Sequence, residues 1–100
     1  MDADETLECL RVIVSNCKAA HAGRLMIERD VPMILSTGDV FAVAEAFSHM
    51  GVGSLKVAVV DKRPQYLDVI EFGALVTTNR GVDLHAFVDR SVAEEWLLSD

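Results

Sequence analysis

Three aspartates are the residues best placed for chemistry, because Asp30, Asp61 and Asp89 each stand just beyond a strand-like apolar run. Carboxylate oxygen is the ligand that hard divalent cations prefer, so the three together could hold Mg²⁺ or assist phosphoryl transfer. Each aspartate could instead cap the helix or turn that follows it. We expect the capping role, and we predict neither a metal site nor a cofactor.

Ser36 and Thr37 are candidate phosphoacceptors at the predicted start of a helix. Backbone N–H groups and the helix dipole favour negative charge at such a position. Ser36 also stands three residues before Asp39, the spacing at which a serine caps a helix through its hydroxyl. Plain capping is therefore the alternative to a phosphate switch.

The remaining reactive side chains form no recognisable catalytic or metal motif. The three histidines lack metal-ligand spacing. Cys9 and Cys17 lie eight residues apart in a helical pattern, about 12 Å at 1.5 Å per residue, so we expect free and mostly buried thiols. No nucleophile has a base close to it in sequence, and we predict that the chain is not an enzyme.

Hydrophobic periodicity supplies the elements that must position these residues. The spacing predicts helices over residues 4–20, 36–50 and 65–79. A short fourth helix is predicted from residue 91, because Ser91 and Glu94 repeat the capping signature. Strands are predicted over residues 24–28, 55–60 and 82–88. Strands that alternate with helices imply a parallel sheet. We therefore expect a single α/β domain over residues 1–100, with three mainly parallel strands and four helices in the order α-β-α-β-α-β-α.

Composition narrows the classes of partner. The chain has 100 residues, 51% of them hydrophobic, and a formal net charge of −7. An acidic surface repels nucleic acid and anionic lipid, and no apolar run is long enough to span a bilayer. The acidic start of the chain differs from the basic start of a signal peptide. We expect a cytoplasmic protein that binds neither nucleic acid nor membrane.

Three segments in the second half of the chain, LKVAVVD (55–61), NRGVDLHAF (79–87) and AEEWL (93–97), occur in a familiar order. The combination resembles the small bacterial SpoIIAA-like proteins of the STAS type (sulphate transporter and anti-sigma-factor antagonist). That resemblance implies a non-enzymatic regulatory or protein-interaction module, with the loop and helix start at Ser36 and Thr37 in contact with the partner. The chain differs from the family in lacking the β-hairpin before the first helix and in having an apolar loop at 31–35.

The predicted partner- or ligand-binding surface comprises Met33, Ile34, Leu35, Ser36, Thr37, Asp39, Asp61, Arg63 and Arg80. Arg80 could also simply interact with the end of its helix, where a cation is favourable. The apolar loop at 31–35 could fold back over the core, or it could cover a pocket. If it covers a pocket, the chain would be a small-molecule or lipid-binding domain, which is our alternative function. A three-stranded sheet with an open edge favours pairing with another chain, so we expect a homodimer or a part of a larger assembly.

Overall fold

The computed structural model of the chain describes residues 2–30 and 35–99. Its helices are Ala3–Ala19 (α1), Thr37–Ser48 (α2), Leu67–Asn79 (α3) and Arg90–Leu98 (α4), and its strands are Arg24–Arg29 (β1), Lys56–Asp61 (β2) and Asp83–Phe87 (β3). The predicted α/β fold class and element order are confirmed. The predicted third helix from residue 65 begins instead with a separate 3₁₀ turn, Pro64–Tyr66, and α3 follows it.

All three strands are parallel and form one sheet in the order β1-β2-β3. β2 is central, as its nearly uncharged sequence predicts, since both of its faces are covered. Ala58 in β2 lies between Met26 of β1 and His85 of β3 in register. Because the strands are parallel, their carboxyl ends meet along one edge of the sheet, which we call the carboxyl edge.

Alternating residues of the strands build two apolar cores on opposite faces of the sheet. One core contains Val14, Phe47 and Ala74, from α1, α2 and α3, packed with Val57 and Leu84 of the sheet. The other core consists of Ala58, Val60, Ala93 and Leu97, with Met26, Phe87 and Trp96 packed against it. The molecule therefore has three layers, with α1–α3 on one side of the sheet and α4 on the other.

Local interactions fix where the helices begin. Ser36 Oγ accepts a hydrogen bond from the Asp39 amide at 3.2 Å, and Asp89 Oδ1 accepts from the Ser91 amide at 2.7 Å. Ser91 is thus not the cap that its sequence signature predicts; the helix starts earlier, at the aspartate that precedes it. Glu94 pairs with Arg90 instead, at 3.0 Å.

The predicted burial of the two cysteines needs correction. Cys9 and Cys17 are free, as predicted, but Cys9 is exposed and Cys17 is only half-buried. Trp96 packs at the rim of the second core and is half-buried, because α4 is the single described helix on that face. In the part of the chain that the structure describes, no helix is long and apolar enough to cross a membrane.

Candidate functional site

A cavity of about 320 Å³ lies between the sheet and the three helices α1–α3. Its walls are mainly aliphatic and aromatic: they include Leu10, Ile13, Val40, Val43, Phe47 and Ile70 from the helices and Ile27 and Val59 from the sheet. Protein interiors seldom leave spaces larger than a water molecule, and ligand pockets usually measure about 300–1,000 Å³. The space is thus large enough for a small organic molecule.

Small residues on α2 and α3 make room for the cavity. Ala44 of α2 and Gly73 and Ala74 of α3 line it, where longer side chains would fill it. A Cβ atom built on Gly73 would meet Val40 Cγ1 at 3.0 Å, so this glycine also permits the close approach of the two helices. Of the predicted partner- or ligand-binding surface, Leu35, at the entry to α2, is the one described residue that contributes to the lining.

The polar groups that line the cavity are satisfied by the chain itself. Thr6 Oγ1 donates to the Asp2 carbonyl oxygen and Thr77 Oγ1 donates to the Gly73 carbonyl oxygen, each at 2.8 Å. Among the described residues, no buried side-chain nitrogen or oxygen atom is left without a hydrogen-bond partner. Both threonine hydroxyls of the described lining therefore already donate within the chain.

Charged residues gather where the cavity meets the carboxyl edge, and they form ion pairs. Asp61, with 2% of its side chain exposed, accepts from Arg29 Nη1 at 2.5 Å and from the Arg63 amide at 2.9 Å. The Arg63 guanidinium lies 3.2 Å from Asp30 and 3.8 Å from Asp61 Oδ1, the oxygen that also accepts from the Arg63 amide. Burial of the Asp61 carboxylate is tolerable because two arginines and an amide compensate its charge.

A second group of charges extends this edge toward α4. Arg90 lies between Glu28 of β1 and Glu94 of its own helix, with both nitrogen–oxygen distances at 3.0 Å. Asp89 caps α4. Of the three aspartates, Asp89 caps its helix as expected, and Asp61 accepts from an amide of the turn that follows it. Asp30 instead pairs with Arg63, which also contacts Asp61. Residues 2–30 and 35–99 contain no group of three or more His, Cys, Asp or Glu side chains arranged to hold a metal ion.

Ser36, Thr37 and Asp39 lie together at the exposed start of α2. Only the Ser36 hydroxyl acts in capping, through the Asp39 amide. The predicted phosphoacceptor positions are accessible, and phosphorylation of either stays a prediction. Met33 and Ile34, the other members of the predicted surface in this loop, lie outside the described residues.

Arg80 is separated from the rest of the predicted surface. It follows the last residue of α3 and precedes β3, toward the amino ends of the strands. Its guanidinium donates to the Val76 carbonyl oxygen at 3.2 Å, lies 3.8 Å from Glu45 and is 5.2 Å above the centre of the Phe41 ring. Arg80 therefore stabilises the end of α3 and its contact with α2, the structural alternative considered for it.

Sequence reasoning missed two residues that shape this region. Arg29 follows the predicted strand 24–28, but in the structure it is the last residue of β1 and both the register partner and the ion-pair partner of Asp61. Gly73 lies inside the predicted helix 65–79. A glycine inside an otherwise strong helical pattern was the available signal, since it costs helix stability unless close packing requires it.

Comparison of the chain with models of protein families, with curated proteins and with solved structures finds no match.

Proposed function

We infer that this chain is a binding domain for a small, uncharged, apolar molecule, held in the cavity between α1–α3 and the sheet. The observation that carries the proposal is the cavity itself, about 320 Å³ with mainly apolar walls. An apolar cavity offers water few hydrogen-bond partners and is filled more favourably by an apolar guest. The aliphatic lining supplies affinity through burial of apolar surface.

The absence of charge on the ligand follows from the pairing at the cavity's charged end. Arg29 and Asp30, which line that end, are engaged by Asp61 and Arg63 respectively. A charged headgroup would have to break one of these pairs or be desolvated without compensation. An alcohol or hydrocarbon avoids that cost, whereas a carboxylate or ammonium of equal chain length does not.

Displacement of the uncharged dye N-phenyl-1-naphthylamine tests the proposal. We expect the purified protein to enhance the dye's fluorescence and 1-decanol to displace it more effectively than decanoate or decylamine. Ala44→Leu, which fills the cavity, should abolish binding, and Ala42→Leu on the exposed face of the same helix should leave it intact. No dye or decanol binding, or unchanged binding by Ala44→Leu, would overturn the cavity as the site. Preferential displacement by decanoate would overturn the uncharged ligand class.

The two cysteines give an independent readout in the wild-type chain. Cys9 lines the cavity, whereas Cys17, two turns further along α1, does not. Saturation with 1-decanol should slow maleimide alkylation of Cys9 and leave the rate at Cys17 unchanged. Equal rates with and without decanol at both cysteines would contradict binding in the cavity.

A second candidate function is the cytoplasmic protein-interaction module that the STAS resemblance implies. One specific observation favours it: β1 pairs with β2 on one side only, so its other edge is open to a partner strand in the described part of the chain. An edge of this kind invites pairing with another chain. The two functions are compatible, since the cavity lies between the sheet and α1–α3, whereas a partner strand would add to the outer backbone edge of β1.

A further inference from the structure

Among the described residues, the outer edge of β1 has no neighbouring strand to accept or donate its backbone hydrogen bonds. Within residues 2–30 and 35–99, the backbone hydrogen bonds of β1 from Arg24 to Glu28 are those made with β2. The opposite edge, on β3, is partly covered, because Thr78 Oγ1 donates to the Leu84 carbonyl oxygen at 3.2 Å. The β1 edge is thus the better template for an added strand.

Symmetry limits how two copies can pair through this edge. A two-fold axis perpendicular to the sheet makes the two β1 strands antiparallel and keeps α1–α3 of both copies on the same side. Residues directly opposite each other must then belong to the same face of the sheet. This condition excludes half of the conceivable registers, including the one that would set Arg24 opposite Arg29 of the second copy.

Among the allowed registers, the one centred on Met26 sets side chains of compatible charge or polarity opposite each other at every position. It sets Arg24 opposite Glu28, Leu25 opposite Ile27, and Met26 opposite its own copy. Shifting the strands by one allowed step in one direction sets Leu25 opposite Arg29, and in the other direction it leaves only residues 24–26 paired. Opposite charges and apolar pairs directly across an antiparallel ladder stabilise the pairing.

The side chains are available for these contacts. Leu25 and Ile27 are only partly buried against the first core, and Met26 is partly buried against the second. Arg24 is exposed and forms no ion pair with another described residue. Glu28 has 47% of its side chain exposed beside Arg90, and its carboxylate can accept a second donor.

We propose that the partner of the β1 edge is a second copy of this chain, paired antiparallel about Met26 into a continuous six-stranded sheet. The proposal is independent of ligand binding in the cavity. It assigns Arg24 and Glu28 as the reciprocal ion pair that sets the register. It also explains why β1 carries charge at both ends of its α4-facing side and the apolar Met26 between them.

Sedimentation equilibrium tests the pairing. Wild type should be a dimer at micromolar concentration. Arg24→Glu should raise the dimer dissociation constant at least tenfold, the equivalent of about 1.4 kcal/mol, since it places like charges opposite each other twice. The double variant Arg24→Glu with Glu28→Arg should recover the dimer. Lys62→Glu, an equal change of charge at the exposed start of the β2–α3 connection, should have no effect.

A disulfide test fixes the register. In a Cys9→Ser, Cys17→Ser background, Met26→Cys should cross-link under mild oxidation, because opposite Cα atoms in an antiparallel pair lie about 4.5–5.5 Å apart, within disulfide range. Arg24→Cys should not cross-link, since its copies would be four residues apart along the strands, about 13 Å. A monomer in sedimentation, a charge swap that fails to restore a folded dimer, or a dimer without the Met26→Cys cross-link would each overturn the proposal. Circular dichroism establishes that each variant is folded.

Discussion

Arg29 and Asp61 are register partners on neighbouring parallel strands and are also ion-pair partners, with Arg29 Nη1 2.5 Å from Asp61 Oδ2. The pair joins the last residues of β1 and β2. It also stands at the charged end of the cavity, because Arg29 lines that space. One interaction thus connects the end of the sheet, the buried carboxylate and the rim of the proposed ligand site.

Replacement of Arg29 by methionine should strongly destabilise the protein. The variant leaves Asp61, 2% exposed, with the Arg63 amide and a guanidinium 3.8 Å away as its remaining partners. Removing one member of a buried pair costs about 3–5 kcal/mol, and we expect about 3 because these partners persist. Urea unfolding measures the change. Arg29→Met with Asp61→Leu should recover much of the loss; additive losses in the double variant would contradict the account.

Ser36→Ala should lower the free energy of unfolding by about 1 kcal/mol, because the Asp39 amide loses its acceptor at the start of α2. Ser36→Asp should retain most of that stability, since aspartate is an equally good cap. Thr37→Ala, at the neighbouring hydroxyl, serves as the matched control and should change little. Equal losses in Ser36→Ala and Thr37→Ala would contradict the capping role. Thermal unfolding followed by circular dichroism provides the comparison.

Gly73 and Val40 should be energetically coupled. An alanine Cβ at 73 would approach Val40 Cγ1 to 3.0 Å, which opposes the gain of about 1 kcal/mol that alanine brings to a helix interior. In a Val40→Ala background the obstruction is gone, and Gly73→Ala should then be stabilising by about that amount. A double-mutant cycle in urea measures the coupling. An identical effect of Gly73→Ala in both backgrounds would show that the close approach has no energetic consequence.

Gly81 is required for its backbone conformation and not for space. Its φ is +90°, and a Cβ there would meet nothing within 4 Å. Gly81→Ala should therefore cost about 1–2 kcal/mol from backbone strain alone. Gly53→Ala provides the control, because Gly53 is equally open and its φ is not in the left-handed region. Thermal unfolding should separate the two variants, and equal stability would contradict the conformational requirement.

The periodic parts of the fold could be predicted from the sequence, and the site largely could not. β2 and its central position follow from an almost uncharged β-branched run, and the end of α3 follows from Gly81. The cavity depends on how three separate helices pack over the sheet, which no local pattern contains. The sequence allows Arg80 to contact an anion at an interface. Its contacts in the fold are instead with Glu45 and Phe41 of α2, which no local sequence pattern indicates.

Lys56→Met should loosen the C-terminal turn of α4. Lys56 Nζ donates to the carbonyl oxygens of Trp96 and Ser99, and it lies 4.5 Å from the centre of the Trp96 ring. A cation at this end of a helix satisfies carbonyl groups that have no partner within the helix, so its loss should cost about 2 kcal/mol. Trp96 is the only tryptophan in the chain, and its emission should move to longer wavelength as the ring becomes more hydrated. Lys62→Met removes the same charge from an exposed position away from α4 and should leave both stability and emission unchanged. An unchanged emission spectrum in Lys56→Met would contradict the role of this lysine in holding the end of α4.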